Sequence, residues 1–238
     1  MIALARKTLH SIGPLHRALS RHRGVLLHRP NYRPAKTSFL GHPEYGGWTI
    51  IPDLLSRESV VYSVGVGNDI SFDLELIEQF GCEVNAFDPT PISLDWLVDQ
   101  NVPAQFVLHP IGLGGLDESV PMGPPPAGGN CFWLPPEGAE NVTYCAVRRL
   151  QTIMADLGHD RIDLLKMDIE GFEYPVIDDV LDGPIRPTQW LIEFHHLMRH
   201  FHPDQTNAAV ARLEAAGYRL FSVSNTGREY SFIYRDAA

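Results

Sequence analysis

The sequence predicts an α/β fold: a doubly wound, mostly parallel sheet that ends in a C-terminal antiparallel β-hairpin. Three observations carry this reading. Continuous apolar runs such as VVYSV (Val60–Val64) and QWLIEF (Gln189–Phe194) have the character of strands buried on both faces. They alternate with segments whose apolar residues recur at helical spacing, the pattern of stacked βα units. The chain then runs YRLFSVSNTGREYSFIYR, two β-rich segments flanking Asn225-Thr226-Gly227, which is a hairpin signal.

In chain order, GHPEYGGWTI (Gly41–Ile50) is glycine-rich and reads as a loop leading into the domain. VVYSV is the first core strand. Ser71 is placed to cap the following helix, whose Phe72, Leu76, Ile77 and Phe80 share one face before Gly81 ends it. EVNAFD (Glu83–Asp88) is the second strand, followed by a helix from about Pro91, with proline in its first turn. AQFVLH (Ala104–His109) is the third. From Gly112 to Gly138 the breakers MGPPPAGGN and LPPEG predict a long loop, either a cover over a site or a plain surface insertion. VTYCAVRRL (Val142–Leu150) is a further strand that leads to a short helix, LQTIMADLG. DLLKMD (Asp163–Asp168) and QWLIEF are the fourth and fifth core strands, separated by the helix EYPVIDDVLDG, and a last helix spans about Asp204 to Ala216.

The chain has 238 residues and a net charge of −10, distributed unevenly. Residues 1–36 hold eight Lys or Arg and no acid, so the rest carries −18 once the arm's +8 is set against the total. This divides the chain into a basic N-terminal arm (1–40) and one domain (41–238). The arm is either a solvated or partner-packed extension or a basic amphipathic helix making peripheral contact with anionic lipid. The acidic body disfavours nucleic acid as a partner. No apolar run approaches the ~20 residues of a membrane span, and the start lacks the pattern of a secretory signal. Three cysteines (Cys82, Cys131, Cys145) in no metal-type spacing suit a reducing compartment, so cytoplasmic location is expected.

Ligands in doubly wound sheets bind at the carboxyl ends of the strands. That rule gathers Gly65, Gly67, Asp69, Ser71, Asp88, Ile111, Gly112 and Asp168 around one crevice as candidate cofactor-binding residues. Gly65 and Gly67 let backbone approach a ligand, and Asp88 is placed to accept bonds from ribose hydroxyls. Charge then discriminates among adenosine cofactors. A pyrophosphate favours an electropositive helix start, yet this one carries Asp69, Asp73 and Glu75. S-adenosylmethionine has a sulfonium, an α-ammonium and no phosphate, and so suits the acidic rim, with Asp69 a candidate for the ammonium.

The segments VYSVGVGNDISFD and CEVNAFDPTP, with DLLKMDIEGFEYPVI followed by LIEFHH, resemble FkbM-type methyltransferases, in the branch of methyltransferase-like proteins of bacteria and animals. The resemblance runs from about Gly47 to Tyr234, and KMDIEGFE (Lys166–Glu173) is its most specific part. It implies a Rossmann-like class I methyltransferase that uses S-adenosylmethionine, usually for O-methylation of sugars, polyketides or other secondary metabolites. Many methyltransferases carry an acid two residues before the first glycine of the turn, where this chain has Ser63.

Two mechanisms fit the strand-end residues. In one, His195 is a general base whose ring is oriented by a carboxylate, with Asp168 and Glu193 beside it. In the other, Asp168, Glu170 and Glu193 hold a divalent ion such as Mg²⁺ that acidifies the acceptor hydroxyl. Quieter roles stand beside these: Glu170 starting a helix, Glu193 paired with Lys166, His195 a core histidine. EFHHLMRHFH matches no trusted zinc spacing. The expected acceptor is a hydroxylated small molecule or glycan, held by the 112–138 loop and the segment after His195, with Phe132, Trp133 and Trp190 as candidate stacking faces and Trp190 favoured as core. Other functions left open are an NAD(P)-dependent oxidoreductase and a non-catalytic nucleotide-binding module. An oligomer is also open.

Overall fold

The computed structural model describes residues 27–43, 46–123, 142–196 and 201–234. The described strands are β1 (Ser38–Leu40), β2 (Trp48–Ile50), β3 (Val61–Val64), β4 (Val84–Phe87), β5 (Phe106–His109), β6 (Gly112–Leu113), β7 (Glu118–Met122), β8 (Thr143–Arg148), β9 (Leu164–Met167), β10 (Gln189–Glu193), β11 (Tyr218–Val223) and β12 (Glu229–Tyr234). The α-helices among the described residues are α1 (Ser71–Phe80), α2 (Pro91–Val98), α3 (Leu150–Leu157), α4 (Glu173–Asp182) and α5 (Pro203–Ala215).

Seven strands form the main sheet in the order β11-β12-β10-β9-β3-β4-β5. β3, β4, β5, β9 and β10 are parallel, while β12 runs antiparallel to both neighbours. The expected doubly wound sheet with its terminal hairpin is therefore present. Because strand side chains alternate, β3 sends Val61 and Ser63 to one face and Tyr62 and Val64 to the other. The first face packs against α1, α2 and the β1–β2 pair through Phe72, Leu76, Leu97 and Trp48. The second packs against α3, α4 and α5 through Ile153, Val176, Ile177 and Leu213. Trp190 is fully buried in this second core, as expected.

Strand order reverses between β3 and β9, which opens a crevice at their carboxyl ends. Helix α1 ends as the sequence predicts, with Gly81 in the left-handed region at φ 69° and its N–H returned to the Ile77 carbonyl. Its start differs. Ser71 is the first helical residue and makes no cap; its amide donates to Asp69 at 2.8 Å and its hydroxyl accepts from the His42 amide at 2.8 Å.

Two expected loops contain strands. The Gly41–Ile50 stretch supplies β2, which pairs antiparallel with β1. The boundary expected between residues 40 and 41 thus falls inside a paired hairpin. More of the arm is docked as well: Asn31 exchanges backbone and side-chain bonds with Leu220, and Arg219 lies 4.1 Å over the Tyr32 ring. The Gly112–Gly138 stretch supplies β6 and β7, which join β8 in a separate three-stranded sheet of order β6-β8-β7. Pro121 lies on β7, at the edge of that sheet, where a missing N–H is tolerated. Phe132 and Trp133, the arm before residue 27 and His200 lie outside the described residues. No helix among the described residues is long and apolar enough to cross a membrane.

Candidate active site

The crevice encloses about 1060 Å³, including space open to solvent, and is lined by the turn after β3, the ends of β4 and β9, and β10. The turn is held tightly. Gly65 has φ 83°, and a Cβ there would sit 1.7 Å from the Asp168 carbonyl oxygen, so the neighbouring strand end excludes any side chain. Gly67 has φ 57°, but a Cβ would meet nothing within 4 Å, so its side-chain position faces open space. Asp69, Asp88, Gly112 and Asp168 also line the crevice, whereas Ser71 and Ile111 do not. Ser71 is turned toward His42, and Ile111 packs against the α3–α5 core.

Asp88, the expected ribose acceptor, is bonded to the turn itself. One oxygen accepts from the Val66 and Gly67 amides at 3.0 Å each; the other accepts from the Thr90 amide at 2.9 Å and its hydroxyl at 2.6 Å. With four donors its lone pairs are all engaged. Asp88 therefore braces the glycine turn from the end of β4. The Asp-Pro-Thr sequence carried the signal, because an Asp bonding the backbone two residues on is an Asx-turn.

At the ends of β9 and β10, Asp168, Glu170 and Glu193 surround His195. Its Nε2 lies 3.5 Å from Asp168, 3.5 Å from Glu170 and 4.0 Å from Glu193. Its Nδ1 lies 3.2 Å from Glu173, and its backbone amide donates to the same Glu173 oxygen at 2.8 Å. The other Glu173 oxygen accepts from the Gly171 amide at 2.8 Å. Glu173 was not among the expected site residues, yet it is the fully buried carboxylate that orients the ring. Its signal was present: Glu173 stands at the head of the apolar stripe Val176, Ile177, Val180 on α4, where a solvated acid does not belong.

Electrostatics follow from this packing. Burial disfavours a charged imidazole, but the bond and charge of Glu173, joined by Asp168 and Glu193, outweigh it and push the His195 pKa up to about 10. Burial, then the charges of Asp168 and Glu229, raise the Glu193 pKa well above the ordinary carboxylate range, against the opposing pull of His195 and Arg228. Glu193 pairs with Arg228 at 3.1 Å. The expected Lys166 partnership is absent: Lys166 donates to the Gly65 carbonyl instead. His195 is 3% exposed and does not itself line the crevice, whereas Asp168, Glu170 and Glu193 do. Glu170 is the only described non-glycine residue with positive φ, at 51°, and it precedes α4 instead of belonging to its first turn. Such backbone strain, about 1–3 kcal/mol, gathers at functional sites.

Asp168, Glu193 and His195 each offer a ligand atom within 4.8 Å of the others, and so form a candidate cation site. The set has His195 in place of the expected Glu170, and two carboxylates with an imidazole suit Mn²⁺, Fe²⁺ or Zn²⁺ better than the oxygen-seeking Mg²⁺; ligation would require His195 Nε2 to be deprotonated.

The crevice as a whole is anionic. Asp69, Asp73, Asp88, Asp168, Glu170, Glu193 and Glu229 face it with Lys166 and Arg228 as the described cations. Pro89, Leu113, Met122 and Phe172 give it apolar walls. A phosphate-free cationic nucleoside fits that lining better than a diphosphate.

A Rossmann-like doubly wound sheet with a glycine turn over a strand-end crevice defines the class. Residues 59–220 match the methyltransferase FkbM domain, and the chain belongs to that family. It is 25% identical over 214 residues to the human protein named probable methyltransferase-like protein 24, covering 82% of this chain and 53% of that one. The rat protein of the same name is 27% identical over 176 residues, 70% of this chain and 43% of that one. The chain thus spans about half the length of the curated relatives it matches. A solved FkbM methyltransferase from Methylobacillus flagellatus aligns with a TM-score of 0.48 at 18% identity, over 76% of this chain and 44% of that one.

Proposed function

We propose that the chain transfers the methyl group of S-adenosylmethionine to a hydroxyl oxygen of a small molecule or glycan. The observation that carries this is the acidic crevice over the glycine turn, in a chain of a methyltransferase family. When bound, S-adenosylmethionine supplies an electrophilic methyl on a sulfonium. Gly65 and Gly67 shape the turn beneath it, and Pro89, Leu113 and Met122 flank a planar base.

Glu193 takes the acceptor proton: it lines the crevice at the end of β10, and burial makes its carboxylate a stronger base than an exposed one. His195, kept protonated by Glu173, offsets the charge of Asp168 and Glu170 and holds them in place. A neighbouring cleft shares Gly46 and Glu229 with the first and is lined by Trp48, Thr49, Ser224 and Thr226. Its polar lining, with the Ser224 and Thr226 hydroxyls gathered on Glu229, suits a polyhydroxy acceptor. The free buried thiols Cys82 and Cys145 accord with the cytoplasm.

A second reading rests on the Asp168–Glu193–His195 geometry: a divalent ion held there would act as a Lewis acid on the hydroxyl. Incubating the purified chain with isotopically labelled S-adenosylmethionine and hydroxylated extracts, with and without chelator, tests both by mass spectrometry. Label on oxygen is expected. Label confined to nitrogen or carbon contradicts the hydroxyl reading, and full transfer in excess chelator removes the metal.

A further inference from the structure

Beneath the glycine turn, on the α1 face of the sheet, lies a polar cluster that the chemistry above does not use. Ser63 of β3 pairs in register with Lys166 of β9, and Asp73 descends on them from the first turn of α1. All three are buried, at 0%, 6% and 2% exposure. Burial raises the Asp73 pKa above the ordinary carboxylate range; the Lys166 charge opposes this by favouring the ionised form, yet its ammonium is committed to the Gly65 carbonyl. Ser63 lies near enough to favour that form as well, but Ser63 Oγ and Asp73 Oδ1 are both without a hydrogen-bond partner.

Buried polar atoms are nearly always satisfied, so an orphaned carboxylate oxygen calls for an explanation. Asp73 and Lys166 both line the crevice, beside Gly65 and Gly67. The other acids near the turn are engaged: Asp88 holds four donors, and Asp69 accepts from the Ser71 amide. Asp73 is the acid there that has a buried oxygen with no donor. A carboxylate in this state, facing a crevice beside backbone glycine, is complementary to an ammonium group that brings its own N–H donors.

We propose that Asp73 receives the α-ammonium of the methionine half of S-adenosylmethionine, replacing from helix α1 the acid absent at Ser63. The inference rests on the cofactor reading above and names the residue that recognises the cofactor's amino-acid end. Lys166 offsets part of the burial that disfavours the Asp73 charge and fixes the Gly65 carbonyl, and the ligand's ammonium supplies a further counter-charge. Asp69, the candidate from sequence, stays at the rim and shapes the start of α1.

The test uses calorimetry on the full chain with two probes. S-adenosylhomocysteine carries the ammonium; 5′-methylthioadenosine has the same nucleoside and thioether without the amino-acid half. Asp73→Asn should weaken S-adenosylhomocysteine about 10- to 150-fold, the range of one hydrogen bond to a charged group. Affinity for 5′-methylthioadenosine should change less than about twofold on the same grounds. Adding Ser63→Asp to Asp73→Asn should restore part of the selectivity. Equal weakening of both probes, or no weakening, overturns the proposal. Should Asp73→Asn not fold, the double variant, which keeps a carboxylate beside Lys166, carries the comparison: retained preference for S-adenosylhomocysteine is expected, and loss of preference overturns it. A wild-type chain that binds neither probe defeats the cofactor reading itself, a result distinct from failure of Asp73 alone.

Discussion

Replacing Glu173 with glutamine keeps the shape of the side chain while removing its charge and one acceptor. The wild-type carboxylate accepts three N–H donors, from Gly171 and His195 amides at 2.8 Å and from His195 Nδ1 at 3.2 Å. Glutamine turns its amide nitrogen on at least one of them. Hydrogen bonds to a buried charged group contribute about 1.5–3 kcal/mol each, and breaking a buried ion pair costs about 3–5 kcal/mol. The two views agree on roughly 3–5 kcal/mol for Glu173→Gln. At about 2–4 °C per kcal/mol for a chain of this size, the melting temperature should fall by roughly 6–20 °C.

The loss should depend on pH, with a sign set by His195. Its pKa is raised to about 10 in the fold. Its ion-pair contribution is therefore fully present below the unfolded value of about 6.5 and is lost as pH rises through the folded value. In Glu173→Gln the ring loses its strongest partner, so most of the pH dependence between those two values should vanish. Melts followed by circular dichroism from pH 6 to pH 10.5, with the His195 ring titrated by NMR, measure both effects. A variant as stable as wild type near neutral pH, or a wild-type His195 titrating near 6.5, would refute the arrangement.

Asp88→Asn should destabilise the fold by about 2–4 kcal/mol in urea unfolding without any ligand, because it disturbs the four bonds that brace the turn. A purely ribose-binding Asp88 predicts no change in that measurement. Gly65→Ala should prevent folding, since its Cβ would overlap the Asp168 carbonyl, whereas Gly67→Ala should cost only about 1 kcal/mol for its positive φ yet weaken S-adenosylhomocysteine binding far more. Equal stability losses at the two glycines contradict this. Arg228 lowers the Glu193 pKa, so Arg228→Met should move the acidic limb of the kcat/KM profile to higher pH. A limb that stays in place removes Glu193 as the titrating base.

The parallel core was legible because buried strands must be continuously apolar and their connecting helices must show a stripe. The β1–β2 pair and the β6 and β7 strands were not legible, although their partner β8 was read from VTYCAVRRL. β1, β2 and β6 have only two or three residues, β7 contains Pro121, and the neighbouring breakers GHPEYGG and MGPPP mask them. In the site, Asp168, Glu170, Glu193 and His195 could be placed because strand ends face the crevice, a rule of topology. Two buried acids escaped because an acid on a helix is ordinarily solvated. Asp73 heads the stripe Leu76, Ile77, Phe80, as Glu173 heads Val176, Ile177, Val180, so position within the stripe held the signal that residue type concealed. Asp88 was identified, but its bonds to the Val66, Gly67 and Thr90 amides were not legible, since a strand-end acid looks alike whether it meets ribose or its own backbone.

The central claim is that the negative crevice selects a cationic nucleoside over a diphosphate. Thermal melts of the purified chain with S-adenosylhomocysteine, NAD and NADP, each at increasing concentration, address it most directly. At about one hundred times its dissociation constant, S-adenosylhomocysteine should stabilise the fold by about 2.7 kcal/mol, a rise of roughly 5–10 °C, while the two dinucleotides leave the melt unmoved. A rise with NAD or NADP and none with S-adenosylhomocysteine would contradict it.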